Sequence, residues 1–177
     1  MDVEYDLNNL SIIDYPDPRL RVRCQPVAEF NDELAALARR MFELMRAEKG
    51  VGIAAAQVGV SLRMLVMNAP GEEQDDLVFV NPVILEREGH AEVEEGCLSL
   101  PGINVLVRRA KRCRIEARDL NGDPISIEGE DLICRCWHHE MDHLDGFLII
   151  DRMGPSDRIA TRRTLKNLEQ DYADARN

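Results

Sequence analysis

Two histidines four residues apart, in the run His139-Glu140-Met141-Asp142-His143, constrain the fold of this chain more than any other feature. Side chains at i and i+4 stack on one face of an α-helix, so a shared target for both imidazoles demands a helix here. Residues 130–144 read as one, with Asp145-Gly146 as its stop. Glu140 then stands about 100° round the helix from His139, beside the histidines without joining them. Two ligands for an ion and a carboxylate placed to take a proton from water are the parts of a metal-assisted hydrolysis. The plain alternative is two histidines satisfied on a helix surface. The crowding of three of the four histidines into 138–143 weighs against it.

A catalytic metal usually takes a third protein ligand. The segment Glu95-Gly96-Cys97-Leu98-Ser99-Leu100-Pro101 can supply it through Cys97, because a thiolate is a strong ligand for iron or zinc and an ion holds it deprotonated. Against this stands the ordinary use of cysteine as a small buried hydrophobe. A third segment, Gly50-Val51-Gly52-Ile53-Ala54-Ala55-Ala56-Gln57-Val58-Gly59, is a weak signal alone. Beside a metal it gains sense: its glycines let a peptide backbone lie close, and Gln57 offers an amide donor to an oxyanion. The competing reading has Gln57 satisfying loop backbone.

The rest of the chain frames these segments. It has 177 residues, 45% hydrophobic and 31% charged, which suits one globular domain over residues 1–177. No apolar run approaches the roughly 18 residues of a membrane span, and the acidic start lacks a secretory layout, so a cytoplasmic location is expected. Five cysteines, an odd number, point to reduced thiols. The net charge of −11 argues against general affinity for nucleic acid, DNA included. Residues 106–118 run the other way with six cations against Glu116; this reads as a solvated strand face, with a docking patch for an anionic partner as the minor alternative.

Residues 14–26 are proline-punctuated and extended, with a short helical turn. Residues 31–49 form a helix capped by Asn31 or Asp32, with Leu34, Leu37, Ala38, Met41 and Met45 on one face and Gly50 as its stop. Strands are expected at 63–68, 77–85, 103–109, 112–118 and 124–128, the last two joined by a turn with the Asn121-Gly122 hairpin signal. A final helix after Pro155-Ser156 should turn Ile159, Leu165, Leu168 and Tyr172 inward. The fold class is α+β: mostly antiparallel strands around a central helix carrying the two histidines, flanked by N-terminal and C-terminal helices.

In this order the three segments resemble the peptide deformylase family, whose motifs GxGxAAxQ, EGCLS and HExDH match residues 50–57, 95–99 and 139–143. The likeness runs from about residue 11 to 153, and Tyr15-Pro16-Asp17-Pro18-Arg19-Leu20-Arg21 is also family-like. Position by position, the resemblance implies metal ligation by Cys97, His139 and His143, with Glu140 as general acid and base. It implies that the Gln57 side chain and the Leu98 N–H stabilise the oxyanion. Gly50, Val51, Gly52, Glu95, Gly96, Cys136 and His139 would contact the substrate, a formyl-Met peptide held extended. The implied metal is Fe(II), with Ni(II), Co(II) or Zn(II) as substitutes, and the implied workplace is near the ribosome.

Four positions depart from the usual pattern. Ala56 replaces a common proline, His138 a glutamine, Asn104 an arginine of some relatives, and Arg135 an apolar residue. The last two bear on substrate preference. His138 points about 100° away from His139 and suits a supporting role. Two rival readings of the same residues differ from this one. A zinc endopeptidase would want a further His or Glu ligand after Leu144, and none is evident. A non-catalytic binder of formylated N-termini should have lost a ligand or the glutamate, and this chain keeps them all.

Overall fold

The computed structural model describes residues 5–69 and 75–176; residues 1–4, within the acidic start, lie outside it, as do 70–74 and 177. Helix α1 spans Asp32–Ala47, and the Asn31 side chain accepts the Leu34 N–H at its start. Its end corrects one expectation: Lys49, at φ 56°, takes the left-handed turn, and Gly50 follows it. The N–H groups of Lys49 and Gly50 donate back to the carbonyls of Arg46 and Met45, closing the last turn. Gly50 is needed for another reason, since a Cβ there would sit 2.8 Å from Leu98 Cδ1.

After α1 come strands β1 (Gly52–Ala54), β2 (Met64–Met67), β3 (Leu77–Glu88), β4 (Ala91–Gly96), β5 (Asn104–Arg109), β6 (Arg112–Arg118) and β7 (Pro124–Glu130). Helix α2 is Asp131–Leu144 and α3 is Pro155–Asp174. One sheet runs β1-β2-β3-β6-β7 and a second pairs β4 with β5, every pairing antiparallel. β6 and β7 are joined by five residues rather than a two-residue turn, with Gly122 at φ 85°. No described helix is long and apolar enough to cross a membrane.

The core explains why β2 reads Met-Leu-Val-Met without polar alternation. Ile53, Met64, Val66 and Val80 face α1, while Ala54, Leu65, Met67 and Phe79 face α2. Both sides of this end of the sheet are covered by helices, so successive residues are buried in opposite directions. On the α2 side Trp137 is fully buried and meets Phe79 edge-on, with ring centroids 5.8 Å apart. A third cluster gathers Leu100, Val105, Val107, Leu148 and Ile149, against which Leu165 and Leu168 of α3 pack. Ile159 does not join them. It is 80% exposed, because the inward stripe of α3 runs through Thr161, Leu165 and Leu168 at helical spacing.

Strand β7 is held tightly against α2. A Cβ at Gly129 would lie 2.4 Å from Trp137 Cζ3 and 2.8 Å from Ile133 Cγ2. Gly129→Ala should therefore lower unfolding stability by about 1–3 kcal/mol through overpacking, read from urea transitions. A change within about 0.5 kcal/mol would show that the tryptophan yields without cost.

Candidate active site

Three elements meet in one place. Cys97 follows directly on β4, His139 and His143 lie one turn apart on α2, and Gln57 sits in the 3-10 turn Ala55–Val58 that leaves β1. Cys97 Sγ stands 3.2 Å from His143 Nε2, which is 3.3 Å from His139 Nε2. All three donor atoms lie within 4.8 Å of one another. Ligands at about 2.0–2.3 Å from a tetrahedral ion are spaced by about 3.3–3.5 Å, so the donor set fits a single metal ion. Glu140 is beside it, 4% exposed, and its Oε2 is buried with no hydrogen-bond partner among the described residues. Burial raises the Glu140 carboxyl to about 7, with the His139 charge opposing and the Glu95 charge adding to the rise.

A buried ionic bridge holds the histidine helix to the cysteine strand. Arg109, 7% exposed, donates through Nε and Nη2 to both Glu95 oxygens at 3.0 Å, and through Nη1 to Asp142 at 2.6 Å. Arg152 holds the other side of Asp142, with Nη2 2.7 Å from Oδ1. Glu95 Oε2 is 3.1 Å from His139 Nδ1, so the ring proton belongs on Nδ1 and the Nε2 lone pair turns to the donor cluster. Against burial, which alone would raise it, hydrogen bonds from His139 and Arg109 pull Glu95 down to about 2. Burial also lowers the proton affinity of His143, with the His139 charge acting the same way, and this leaves its nitrogen free for a cation. For His139 the same burial is outweighed by Cys97 and Glu95, which push it well above its usual range, so an ion taking the Nε2 lone pair would displace a proton from it.

Arg109 corrects the reading of residues 106–118 as a wholly solvated face. A signal was available: Arg109 continues the inward phase of Val105 and Val107 along β5. Asp142, with no assigned role in the sequence reading, is its second partner. Of the other five cations in that run, Arg112 pairs with Glu130 and Arg114 with Glu86, while Arg118 donates to the Gly122 carbonyl.

Gln57 is 1% exposed, and its amide orientation is set by its surroundings. Oε1 accepts the Ala54 N–H at 2.9 Å, so the NH2 end must face Ser99 Oγ at 3.3 Å and Cys97 Sγ at 3.7 Å. It thus satisfies loop backbone and presents a donor at the site together. The Leu98 N–H has no hydrogen-bond partner among the described residues. A cleft beside these groups is lined by Gly50, Val51, Gly52, Gly96, Leu132, Arg135, Cys136 and Asn104, along with the catalytic candidates. Two sheet edges flank it, β1 and β4. Gly52 brings β1 against α2, since a Cβ there would lie 2.6 Å from Cys136 Sγ and 3.1 Å from Glu140 Oε1.

His138 faces elsewhere. Its Nε2 is 3.3 Å from Arg87 Nε and its Nδ1 2.9 Å from the Cys134 carbonyl, so both nitrogens are committed. The cluster it forms with Cys113 and Cys134 is thereby short of an imidazole ligand. All five cysteines are free thiols.

An α+β fold that brings a cysteine, two histidines and a buried carboxylate to the edge of an open cleft is built as a metal-dependent hydrolase is built. The sequence profile of the polypeptide deformylase family matches residues 9–159. A peptide deformylase of Acidobacterium capsulatum is 43% identical over 161 residues, covering 90% of this chain and 95% of the relative. One from Alkalilimnicola ehrlichii is 46% identical over 160 residues, 90% of each chain. Among solved structures, a peptide deformylase from Legionella pneumophila superposes with a TM-score of 0.86 at 41% identity, over 93% of this chain and 97% of that one. A plant peptide deformylase gives a TM-score of 0.93 at 37% identity, over 98% and 96%. The chain belongs to the polypeptide deformylase family, and with that to the metal-dependent amidohydrolases.

Glu95→Gln should weaken metal retention about 10- to 100-fold in chelator competition, because the carboxamide orients the His139 ring less strongly. An unchanged affinity would remove Glu95 from that role. The ionised Glu95 is also a stability term. Its folded value of about 2 lies below the ordinary 4.5, so its contribution is full above about pH 4.5 and is lost as pH falls toward 2. Urea unfolding of the metal-free protein should lose stability across that window less steeply in Glu95→Gln.

Proposed function

We propose that this site hydrolyses the N-formyl amide of formyl-Met peptides, releasing formate and a free N-terminus, with one catalytic domain spanning the whole chain. The observation that carries the reading is the meeting of Cys97, His139 and His143 at 3.2–3.3 Å beside the unpartnered Glu140 carboxylate oxygen. Those three residues would hold a single divalent ion. Fe(II) is the native choice that family membership favours, and a thiolate with two imidazoles also suits Ni(II), Co(II) and Zn(II). When bound, the ion supplies Lewis acidity, making water easier to deprotonate and the formyl carbonyl easier to attack.

The chain's own residues do the rest. The formyl-bearing peptide lies extended in the cleft with its backbone against Gly50, Val51 and Gly52 at the free edge of β1, the way a strand adds to a sheet. Glu95 and Gly96 face it from β4, and Cys136 and His139 from α2. Glu140 accepts a proton from the attacking water; a carboxyl near 7 is well matched to take and return it at neutral pH. As the carbonyl oxygen gains charge, the Gln57 NH2 and the Leu98 N–H donate to it. Glu140 then delivers its proton to the leaving amine nitrogen, the C–N bond breaks, and formate departs.

We place the chain in the cytoplasm, acting on nascent polypeptides at the ribosome. Support comes from α3, where Arg158, Arg162, Arg163 and Lys166 are exposed and hold no ion pair among the described residues. In the run at 106–118, Arg112 and Arg114 are already paired with acids.

Formate release from formyl-Met-Ala-Ser, with anaerobically purified and metal-assayed protein, tests the reading. Turnover should disappear in Glu140→Ala with metal still bound, and Gln57→Leu should lose about 10²- to 10³-fold in kcat. Chelation should abolish activity and Fe(II) or Ni(II) restore it. Metal-replete protein that releases no formate would instead mark a non-catalytic binder of formylated N-termini.

A further inference from the structure

Outside the catalytic cluster, the described residues bring thiols and an imidazole together once more. Cys113 on β6, Cys134 in the first turn of α2 and His138 one turn later place donor atoms within 4.8 Å of one another. The spacing of the sulfurs decides what this group can do. Cys134 Sγ stands 2.8 Å from Cys113 Sγ. Two thiolates on one tetrahedral ion, each at about 2.3 Å, would stand about 3.7 Å apart, so the pair is too close to share a metal. A covalent S–S bond needs a further approach of less than about 1 Å. His138 is no ligand here either, since its Nδ1 is given to the Cys134 carbonyl at 2.9 Å. The other three cysteines are engaged elsewhere: Cys97 with His143, Cys136 against Gly52 and Cys24 with Ser61.

We propose that Cys113 and Cys134 form a modification site, at which hydrogen peroxide closes a disulfide between β6 and α2. Both thiols are buried, but only beneath the half-buried His138 and the exposed Arg87, a depth that a molecule as small as a peroxide can reach. One thiol, once deprotonated, attacks a peroxide oxygen; the O–O bond breaks, a sulfenic acid forms, and the hydroxide takes up the proton and leaves as water. The second sulfur attacks the sulfenic sulfur, the S–O bond breaks, and its proton leaves with the hydroxyl as a second water. Two thiols and one peroxide thus give one disulfide and two waters, the sulfurs losing the two electrons that the peroxide oxygens gain. Burial raises the pKa of both thiols, so the pair rests protonated and reduced and closes slowly. Once closed, the bond ties the start of the histidine-bearing helix to the sheet.

The test needs no assumption about turnover. Nickel-loaded protein is exposed to excess hydrogen peroxide, its remaining thiols are alkylated in urea, and it is cut with trypsin. Cleavage after Arg112, Arg114, Arg118 and Arg135 puts Cys113, Cys134 and Cys136 on separate peptides, so the partners of any linkage can be read by mass. The Cys113 and Cys134 peptides should appear joined, and dithiothreitol should release both. The thermal midpoint of the oxidised protein should rise by about 5–10 °C, as closing a loop of about 20 residues implies, and return on reduction. Cys113→Ser, treated alike, should show neither the linkage nor the shift. Positions 113 and 134 both alkylated after peroxide, sulfinic acid there in place of the bond, or a linkage between two chains would each overturn the assignment.

Discussion

The buried Arg109 guanidinium, shared between Glu95 and Asp142, is the interaction on which the site depends. Glu95 lies on β4 two residues before Cys97, and Asp142 lies on α2 between His139 and His143. One cation thus joins the strand that delivers the sulfur to the helix that delivers the imidazoles. Removing it would leave Glu95 with His139 alone and Asp142 with Arg152 alone, and breaking so buried a bridge from one side costs far more than it contributes net, about 3–5 kcal/mol. The bridge also sets chemistry, because the same Glu95 that it fixes accepts the His139 Nδ1 proton and turns the opposite lone pair inward. Structure and reactivity share one hydrogen-bond network.

Around that network the fold works by covering both faces of a short stretch of sheet. With α1 on one side and α2 on the other, β1 and β2 have nowhere to move, and the turn carrying Gln57 is fixed where β1 ends. Glycine at 52 lets that strand approach α2 closely enough for a peptide, the Glu140 carboxylate and the Cys136 wall to share one cleft. Because β1 and β4 are edges of different sheets, the cleft has unpaired backbone on two sides, which suits an extended substrate.

Much of this was legible in the chain. The i, i+4 histidines required α2, the apolar stripe of residues 34–45 marked α1, and the alternation of 112–118 marked β6; all three lie where they were expected. The elements that escaped did so for physical reasons. β4 carries Glu92, Glu94 and Glu95 with a single buried member, and an acidic two-stranded ribbon has no hydrophobic rhythm to read. β1 is three residues long and begins with a glycine, so it looks like the loop that precedes it. Arg109 was grouped with its charged neighbours in sequence, although its strand phase placed it inside. Ile159 was assigned inward by hydrophobicity alone, whereas the contact stripe of α3 is set by what β5 offers it. The ligand residues and Gln57 could be named from motif order, but the orientation of the Gln57 amide depends on Ala54 N–H, which no motif encodes.

The central claim is that Cys97, His139 and His143 together hold one catalytic ion. X-ray absorption at the metal edge of the anaerobically loaded protein tests it without reference to turnover. The account predicts one sulfur scatterer at about 2.3 Å with nitrogen or oxygen neighbours at about 2.0–2.2 Å, and loss of the sulfur shell in Cys97→Ser. A first shell without sulfur in the native chain would contradict it, because the ion would then lie away from the point where strand and helix meet.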